Sequence, residues 1–262
     1  MLRSMDKLSD HLIYAGDTLS LLPQIPDGTL PLIFIDPPYN IGKSFGKCKD
    51  QWASESAYLS WCYQSIDLCL QKLAPNGSLY FMSATQYMPY FDLYLRDKIH
   101  ILSRIVWCYD SSGRQAKKHY GSLYEPILHC VRNPKDYVFN ADAIQVEAKT
   151  GSQRQLIDYR NHPPRVYNTT KVPGNVWNFS RVRYKMNEYR THPSQKPEAL
   201  LERIILASSH KGDRVLDPFA GTFTTASVCA RLKRRSISIE QEETYLEIGR
   251  QRLAEALQKA RR

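Results

Sequence analysis

Much is missing from this 262-residue sequence. It has six cysteines (Cys48, Cys62, Cys69, Cys108, Cys130 and Cys229), and no two form a C-x-x-C pair. That disfavours a disulfide scaffold or a zinc knuckle and favours buried free thiols in a reducing compartment. No apolar run approaches membrane-spanning length. The opening MLRSMDKLSDHLIY carries acids and lacks the apolar core of a signal peptide. The expectation is a cytoplasmic protein with no membrane partner. The pattern G-x-x-x-x-G-K-[ST] is absent, which disfavours triphosphate binding. His100, His119, His129, His162 and His192 show no metal-ligand spacing, so no metal is expected and they read as surface, core or nucleic-acid contacts. There is no internal repeat. Acids are short as well: 26 Asp+Glu face 36 Lys+Arg, a net charge of +10. Such a balance favours an anionic partner, nucleic acid first, with plain solubility charge as the alternative.

What is present alternates. His11–Tyr14 reads as a strand, followed by a short helical piece from Thr18 to Ile25, a strand at Leu32–Ile35 and an amphipathic helix from Ala57 to Leu73. Pro75-Asn76-Gly77 reads as a turn before a strand at Ser78–Met82. Strand, helix, strand, helix, strand implies a parallel sheet with crossover helices. Ile101–Tyr109 and Pro126–Val131 read as two further strands, able to pair antiparallel at one edge. Residues 111–190 are polar, basic and aromatic, and read as an inserted recognition region in which the tyrosines and Trp177 form a small core. Alternation returns with a helix at 197–208, a strand at Arg214–Leu216, a helix at 224–232, a strand at Ser236–Ile239 and a closing helix at 242–259. The basic run 231–235 reads as helix-end solvation.

Two strand tips carry the chemistry. Leu32-Ile33-Phe34-Ile35 stops at Asp36-Pro37-Pro38-Tyr39, an acid, two prolines and an exposed ring. Prolines end a ladder because they have no N–H to give. Arg214-Val215-Leu216 stops at Asp217, and Gly221 permits a tight loop before the next helix. Ligands of open α/β sheets bind outside the carboxyl ends of the strands, and Glu240, about twenty residues on, stands where an acid bonds ribose hydroxyls. Taken alone, this second tip could equally be a strand–loop–helix turn that needs one glycine.

Together, DPPY at 36–39, DPFAGTFTT at 217–225 and THPSQKP at 191–197 resemble the amino-DNA methyltransferases, which move a methyl group from S-adenosylmethionine to an exocyclic base nitrogen. The acceptor motif comes first in the chain and the cofactor loop last, as in the β group of that family. DSSG, QAKKHYGS, YEPIL, VEAKTGSQR and KVPGNVW also resemble adenine-N6 members that lack a partner nuclease. The resemblance runs essentially end to end. It implies an α/β fold: a circularly permuted Rossmann-like methyltransferase fold with a mostly parallel seven-stranded sheet flanked by helices and an inserted DNA target-recognition region. It also implies a single methyltransferase domain over 1–262. Residues 1–110 form the catalytic half, 111–190 the recognition insertion and 191–262 the cofactor-binding half.

The resemblance assigns roles residue by residue. Asp36, Pro37, Pro38 and Tyr39 are the catalytic set. The Asp36 carboxylate and the Pro37 carbonyl accept from the target amine, Pro38 stiffens the backbone, and Tyr39 stacks on a flipped adenine. Asp17, Asp36, Ser194, Lys196, Asp217, Phe219, Gly221, Thr222 and Glu240 line the S-adenosylmethionine site. Asp17 could instead cap the helix at Thr18, and Lys196 could be a solvated charge. Phe223 stands where the family has a second glycine, and could crowd the loop or pack beneath it. Lys43, Lys47 and Phe45 close over the flipped base. Arg114, Lys117, Lys118, Arg154, Arg160, Arg181, Arg183 and Lys185 supply contacts to double-stranded DNA, though any one of them is as readily a solvated charge. A homodimer is left open. The expected activity is site-specific DNA adenine-N6 methylation. N4-cytosine methylation is the alternative, then a catalytically silent nucleic-acid-binding relative, and last methylation of RNA or of a protein amide.

Overall fold

A computed structural model describes residues 5–46, 48–110, 117–154 and 156–261. Lys47 and Arg114 lie outside these residues, and so does the side chain of Arg154. The chain opens with strands β1 (Met5–Leu8) and β2 (His11–Ala15). Helix α1 (Thr18–Leu21) runs into a 3-10 turn at Leu22–Gln24, then comes β3 (Leu30–Ile35). The short ribbon β4 (Ser44–Phe45) and β5 (Cys48–Lys49) follows, then α2 (Glu55–Lys72), β6 (Leu73–Met82) and α3 (Met88–Arg96). Next are β7 (His100–Cys108) and β8 (Tyr124–Val131). The middle of the chain adds β9 (Val146–Glu147), α4 (Lys149–Arg154), β10 (Ile157–Asp158), β11 (Arg165–Val166), β12 (Thr170–Lys171) and β13 (Val176–Asn178). The last part holds α5 (Glu198–Ser208), β14 (Arg214–Asp217), α6 (Thr224–Arg231), β15 (Arg235–Glu240) and α7 (Glu243–Arg261).

The main sheet has nine strands among the described residues, in the order β1-β2-β15-β14-β3-β6-β8-β7-β13. Five of its pairings are parallel and three antiparallel. Seven strands were expected; β1 and β13 extend the sheet at its two margins. The expected antiparallel pair is present, but β13 covers β7, so that pair is not the edge. The turn expected at Pro75-Asn76-Gly77 lies inside β6, where the register against β3 shifts between Leu30 and Leu32. A bulge absorbs the proline without ending the strand.

Side-chain alternation divides the core. Ile33, Ile35, Leu79 and Phe81 face α2 and α3, while Leu32, Phe34, Tyr80 and Met82 face α5. A third cluster joins Ile13 and Ala15 to α6 and α7 through Phe223 and Leu246. Trp177 is buried in the main core beside Trp107 instead of seeding a separate one, whereas Tyr120, Tyr159 and Tyr184 are exposed. The basic run 231–235 is not simply solvated. Arg234 is buried and donates to the Ser209 carbonyl at 2.8 Å, and Arg231 pairs with Glu202 at 3.1 Å. Cys62, Cys69, Cys130 and Cys229 are buried free thiols, and Cys108 is a half-buried one.

Four adjacent strands, β2, β15, β14 and β3, run parallel. Their carboxyl ends therefore lie on one rim, and each delivers an acid there: Asp17, Glu240, Asp217 and Asp36. From β3 the chain winds outward to β6; from β14 it winds the other way to β15. The crevice lies where the strand order reverses.

Candidate active site

A cavity of about 350 Å³ opens at this rim, within the usual size range of small-molecule sites. Asp17, Asp36, Glu240 and Glu242 contribute carboxylates to its wall, with Lys43 and Lys196 facing them. Trp61 and Phe219, ring centroids 5.4 Å apart, add an apolar flank. A recess of about 30 Å³, sharing His192, Ser194 and Gly221 with the cavity, reaches Asp217 and Thr222.

On the cofactor side, Asp17 caps α1, its Oδ2 accepting from the Ser20 amide at 2.9 Å, and also lines the cavity. Both readings of it hold together. Glu240 is fixed by three backbone amides: Gly221 at 2.8 Å on Oε2, and Gln241 and Glu242 at 2.9 Å on Oε1. Each carboxylate oxygen has two lone pairs, so capacity remains for a ligand. Asp217 is buried and accepts from Thr225 Oγ1 at 2.5 Å and the Phe219 amide at 3.1 Å. It braces the loop from below and does not line the main cavity. Burial pushes its carboxyl up to about 7. Gly221 adopts φ +50, and a Cβ there would lie 3.1 Å from His192 Nε2. Thr222 Oγ1 is buried without a hydrogen-bond partner among the described residues.

Phe223 packs beneath the loop. It is fully buried, takes left-handed φ +58, and sits against Gly249 of α7. Arg252 ties the same loop down, donating to Thr224 Oγ1 at 2.8 Å and to Glu198 at 2.7 Å.

On the acceptor side, Tyr39 is only 8% exposed, not the exposed ring expected. Its hydroxyl donates to Asp36 Oδ1 at 2.6 Å and lies 3.0 Å from Glu125 Oε2. Tyr58 Oη donates to the Pro38 carbonyl at 3.0 Å, fixing the tip, while no described residue donates to the Pro37 carbonyl. Lys196 is buried, not solvated, and lines both the cavity and the recess beside the cofactor loop. Its Nζ lies 3.0 Å from Asp36 Oδ2 and 3.3 Å from Glu125 Oε2, and 4.9 Å above the Tyr39 ring. Burial raises the Asp36 carboxyl above its usual range against the opposing pull of Lys196. Burial lowers Lys196, but the two carboxylates outweigh it and leave the ammonium raised.

The loop after the tip leans on the cofactor half. Phe45 meets His192 at 5.6 Å between ring centroids, and a Cβ on Gly46, at φ +59, would run into Glu242. Lys43 lines the cavity. Arg181 lies over the Tyr109 ring at 5.1 Å, on the rim that β7 shares with Glu125. Arg183 pairs with Asp110 at 2.8 Å. Arg160 is held by Asp158 on the β10–β11 ribbon. Lys117, Lys118 and Lys185 are exposed and do not line the cavity. Sequence reasoning missed Glu125, Trp61 and His192. Glu125 had one signal, the lone acid in the strand YEPILHCV.

Among the described residues no group of three or more His, Cys, Asp or Glu could hold a metal ion, and no helix is long and apolar enough to cross a membrane.

A family model described as DNA methylase, for N6 and N4 methyltransferases, matches residues 30–251. The DNA adenine methyltransferase YhdJ of Escherichia coli (strain K12) is 57% identical over 241 residues, 92% of this chain and 82% of that protein. The type II methyltransferase M.HpaI of Haemophilus parainfluenzae is 34% identical over 246 residues, 93% and 74% of the two chains. Two solved structures share the fold. The PvuII DNA methyltransferase (cytosine-N4-specific) aligns with a TM-score of 0.69 at 17% identity over 97% of this chain and 93% of that one. An M1.HpyAVI–SAM complex aligns with a TM-score of 0.62 at 23% identity over 92% and 98%.

Proposed function

This chain belongs to the N6/N4 DNA methylase family, and from that membership we propose that it is a site-specific DNA adenine-N6 methyltransferase using S-adenosylmethionine. The observation that carries the reading is the β3 tip. A half-buried carboxylate, Asp36, faces the cavity beside a Pro37 carbonyl that no described residue donates to. Two acceptors on one rigid tip suit an amino group with two N–H bonds.

The cavity fits the cofactor on two counts: its volume and its carboxylate-rich wall in a chain of charge +10. S-Adenosylmethionine supplies a methyl group already activated on positive sulfur. Glu240, oriented by its three amides, would hold the ribose, and Asp17 the adenine amine. Phe219, Gly221 and Ser194 would close the remaining wall, with Asp217 and Thr222 bracing the loop. At the other end, Asp36 and the Pro37 carbonyl would hold the target amine so that its lone pair points at the methyl. The carboxylate stabilises the positive charge that develops on nitrogen and receives the proton that nitrogen must lose. Tyr39 lines the cavity and would offer its ring to a flipped adenine. Lys43, Phe45, Arg181 and Arg183 would face the DNA, with Lys117 and Lys118 as outlying phosphate contacts.

The same reading carries the permuted form of the fold, which rests on the acceptor tip preceding the cofactor loop. It also carries the division into a catalytic part (1–110), a recognition part (111–190) and a cofactor part (191–262).

The test is transfer of a radiolabelled methyl group from S-adenosylmethionine to duplex DNA, with base analysis. Label on N6 of adenine, lost in Asp36→Ala, is expected. Label on cytosine would overturn the base assignment, and no label would overturn the reading.

A further inference from the structure

Glu125 stands at the start of β8, far in sequence from the motifs that meet at the acceptor tip. Asp36, Tyr39, Glu125 and Lys196 nevertheless close a ring. Tyr39 Oη lies 2.6 Å from Asp36 Oδ1 and 3.0 Å from Glu125 Oε2, and Lys196 Nζ lies 3.0 Å from Asp36 and 3.3 Å from Glu125. The hydroxyl has one proton and two carboxylates in reach, so it can donate well to only one at a time. In the resting ring the shorter bond goes to Asp36, the carboxylate that the target amine needs. An amine that displaced Tyr39 from Asp36 would strand a buried O–H, a penalty that a second acceptor removes. Burial, and after it the two carboxylates, hold the Tyr39 proton on, so it remains a donor.

The geometry points to Glu125 as a positioning residue for the methyl transfer: it receives the Tyr39 hydrogen bond when the target amine claims Asp36, and it shares Lys196 so that Asp36 is not locked to one cation. This rests on the function proposed above for the tip. Glu125 thereby also adds a like charge beside Asp36. The other charged groups facing the pair are Lys43, after β3, and Asp217, at the β14 tip; Tyr109 at the end of β7 and Arg181 after β13 stand near Glu125.

The experiment compares wild type, Glu125→Ala and Glu125→Gln. The Asp36 carboxyl is titrated by carbon-13 NMR in protein without DNA or cofactor, its signal assigned by its loss in Asp36→Asn. Single-turnover methyl transfer and calorimetric cofactor affinity are measured alongside. In both variants the Asp36 midpoint should move to lower pH, because a like charge is gone and Lys196 remains. Transfer should slow roughly thirtyfold in the alanine variant, the scale of a hydrogen bond to a charged group. Glutamine, which keeps an acceptor oxygen, should run about fivefold faster than alanine. Cofactor affinity should stay within about twofold of wild type. An unchanged Asp36 midpoint, or a glutamine variant as slow as alanine, overturns the inference. If the alanine variant does not fold, the glutamine variant alone decides through the midpoint. Failure of the wild type to label DNA would sink the proposed function, while the Asp36 titration would still report whether Glu125 acts on Asp36.

Discussion

The contact between Phe223 and Gly249 predicts a substitution whose sign reverses with its partner. A Cβ added at Gly249 would lie 2.5 Å from Phe223 Cγ and 2.7 Å from both Cδ atoms. These atoms are near the root of the ring, not at a flexible end, and Phe223 is fully buried with its backbone at φ +58. Gly249→Ala should therefore sit at the upper end of overpacking costs, about 3 kcal/mol. Alanine returns about 1 kcal/mol because glycine is a poor residue inside helix α7. The net expectation is about 2 kcal/mol of destabilisation. Phe223→Ala alone should cost about 3–5 kcal/mol, reduced somewhat because a smaller residue lies under less pressure in a left-handed backbone. With the ring gone, Gly249→Ala should turn stabilising by about 1 kcal/mol. The coupling between the two sites is then about 3 kcal/mol, well above what independent sites show. Urea denaturation of the four proteins, followed by circular dichroism, measures it. An alanine at 249 that is neutral beside Phe223, or effects that simply add, would refute the packing account.

Two other outcomes follow from the site. Lys196→Met leaves the half-buried Asp36 and Glu125 together without their buried cation, so the protein should lose about 3 kcal/mol; Asp36 should also need a higher pH to ionise, moving the acid limb of the pH–rate profile upward. The second outcome concerns acid. Burial lowers His11 and His129 to about 4 and His192 to about 3, all below the 6.5 of the unfolded chain. The unfolded chain takes these protons first, so this stability is present above pH 6.5 and lost as pH falls toward 4. Asp217, raised from 3.8 to about 7, acts oppositely, adding stability at low pH that is lost as pH rises through 7. Asp217→Asn removes that compensation, and its Tm should fall more steeply than that of wild type between pH 6.5 and 4; a shallower slope would contradict the assignment.

The strand tips were legible because each is an apolar run ended by an acid, and register in a parallel sheet fixes where such ends go. That brought Asp17, Asp36 and Glu240 to one rim from sequence alone. The pairing of Lys196 with Asp36 and Glu125 was not legible, because the segment before α5 turns its side chain toward the β3 tip, which no local pattern records. Tyr39 was read as exposed because a residue after two prolines reads as a loop, yet its hydroxyl is drawn inward by two carboxylates, one of them 86 residues away. Strand β13 was hidden in a basic stretch because three residues, Val176–Asn178, are too few to show alternation. Phe223 left two readings open, and the deciding partner, Gly249, lies on another helix.

The acceptor ring also bears on how the chain comes off the ribosome. Asp36 and Glu125 are made early, and Lys196 emerges only after the whole stretch between β8 and α5 has been threaded. Until then the first half holds two carboxylates that repel one another around the Tyr39 hydroxyl, so the growing protein has an electrostatic reason not to settle that corner. The arriving lysine is a fastener between the two halves: a polypeptide cut short before it would keep its acceptor motif without the cation that holds Asp36 and Glu125 together.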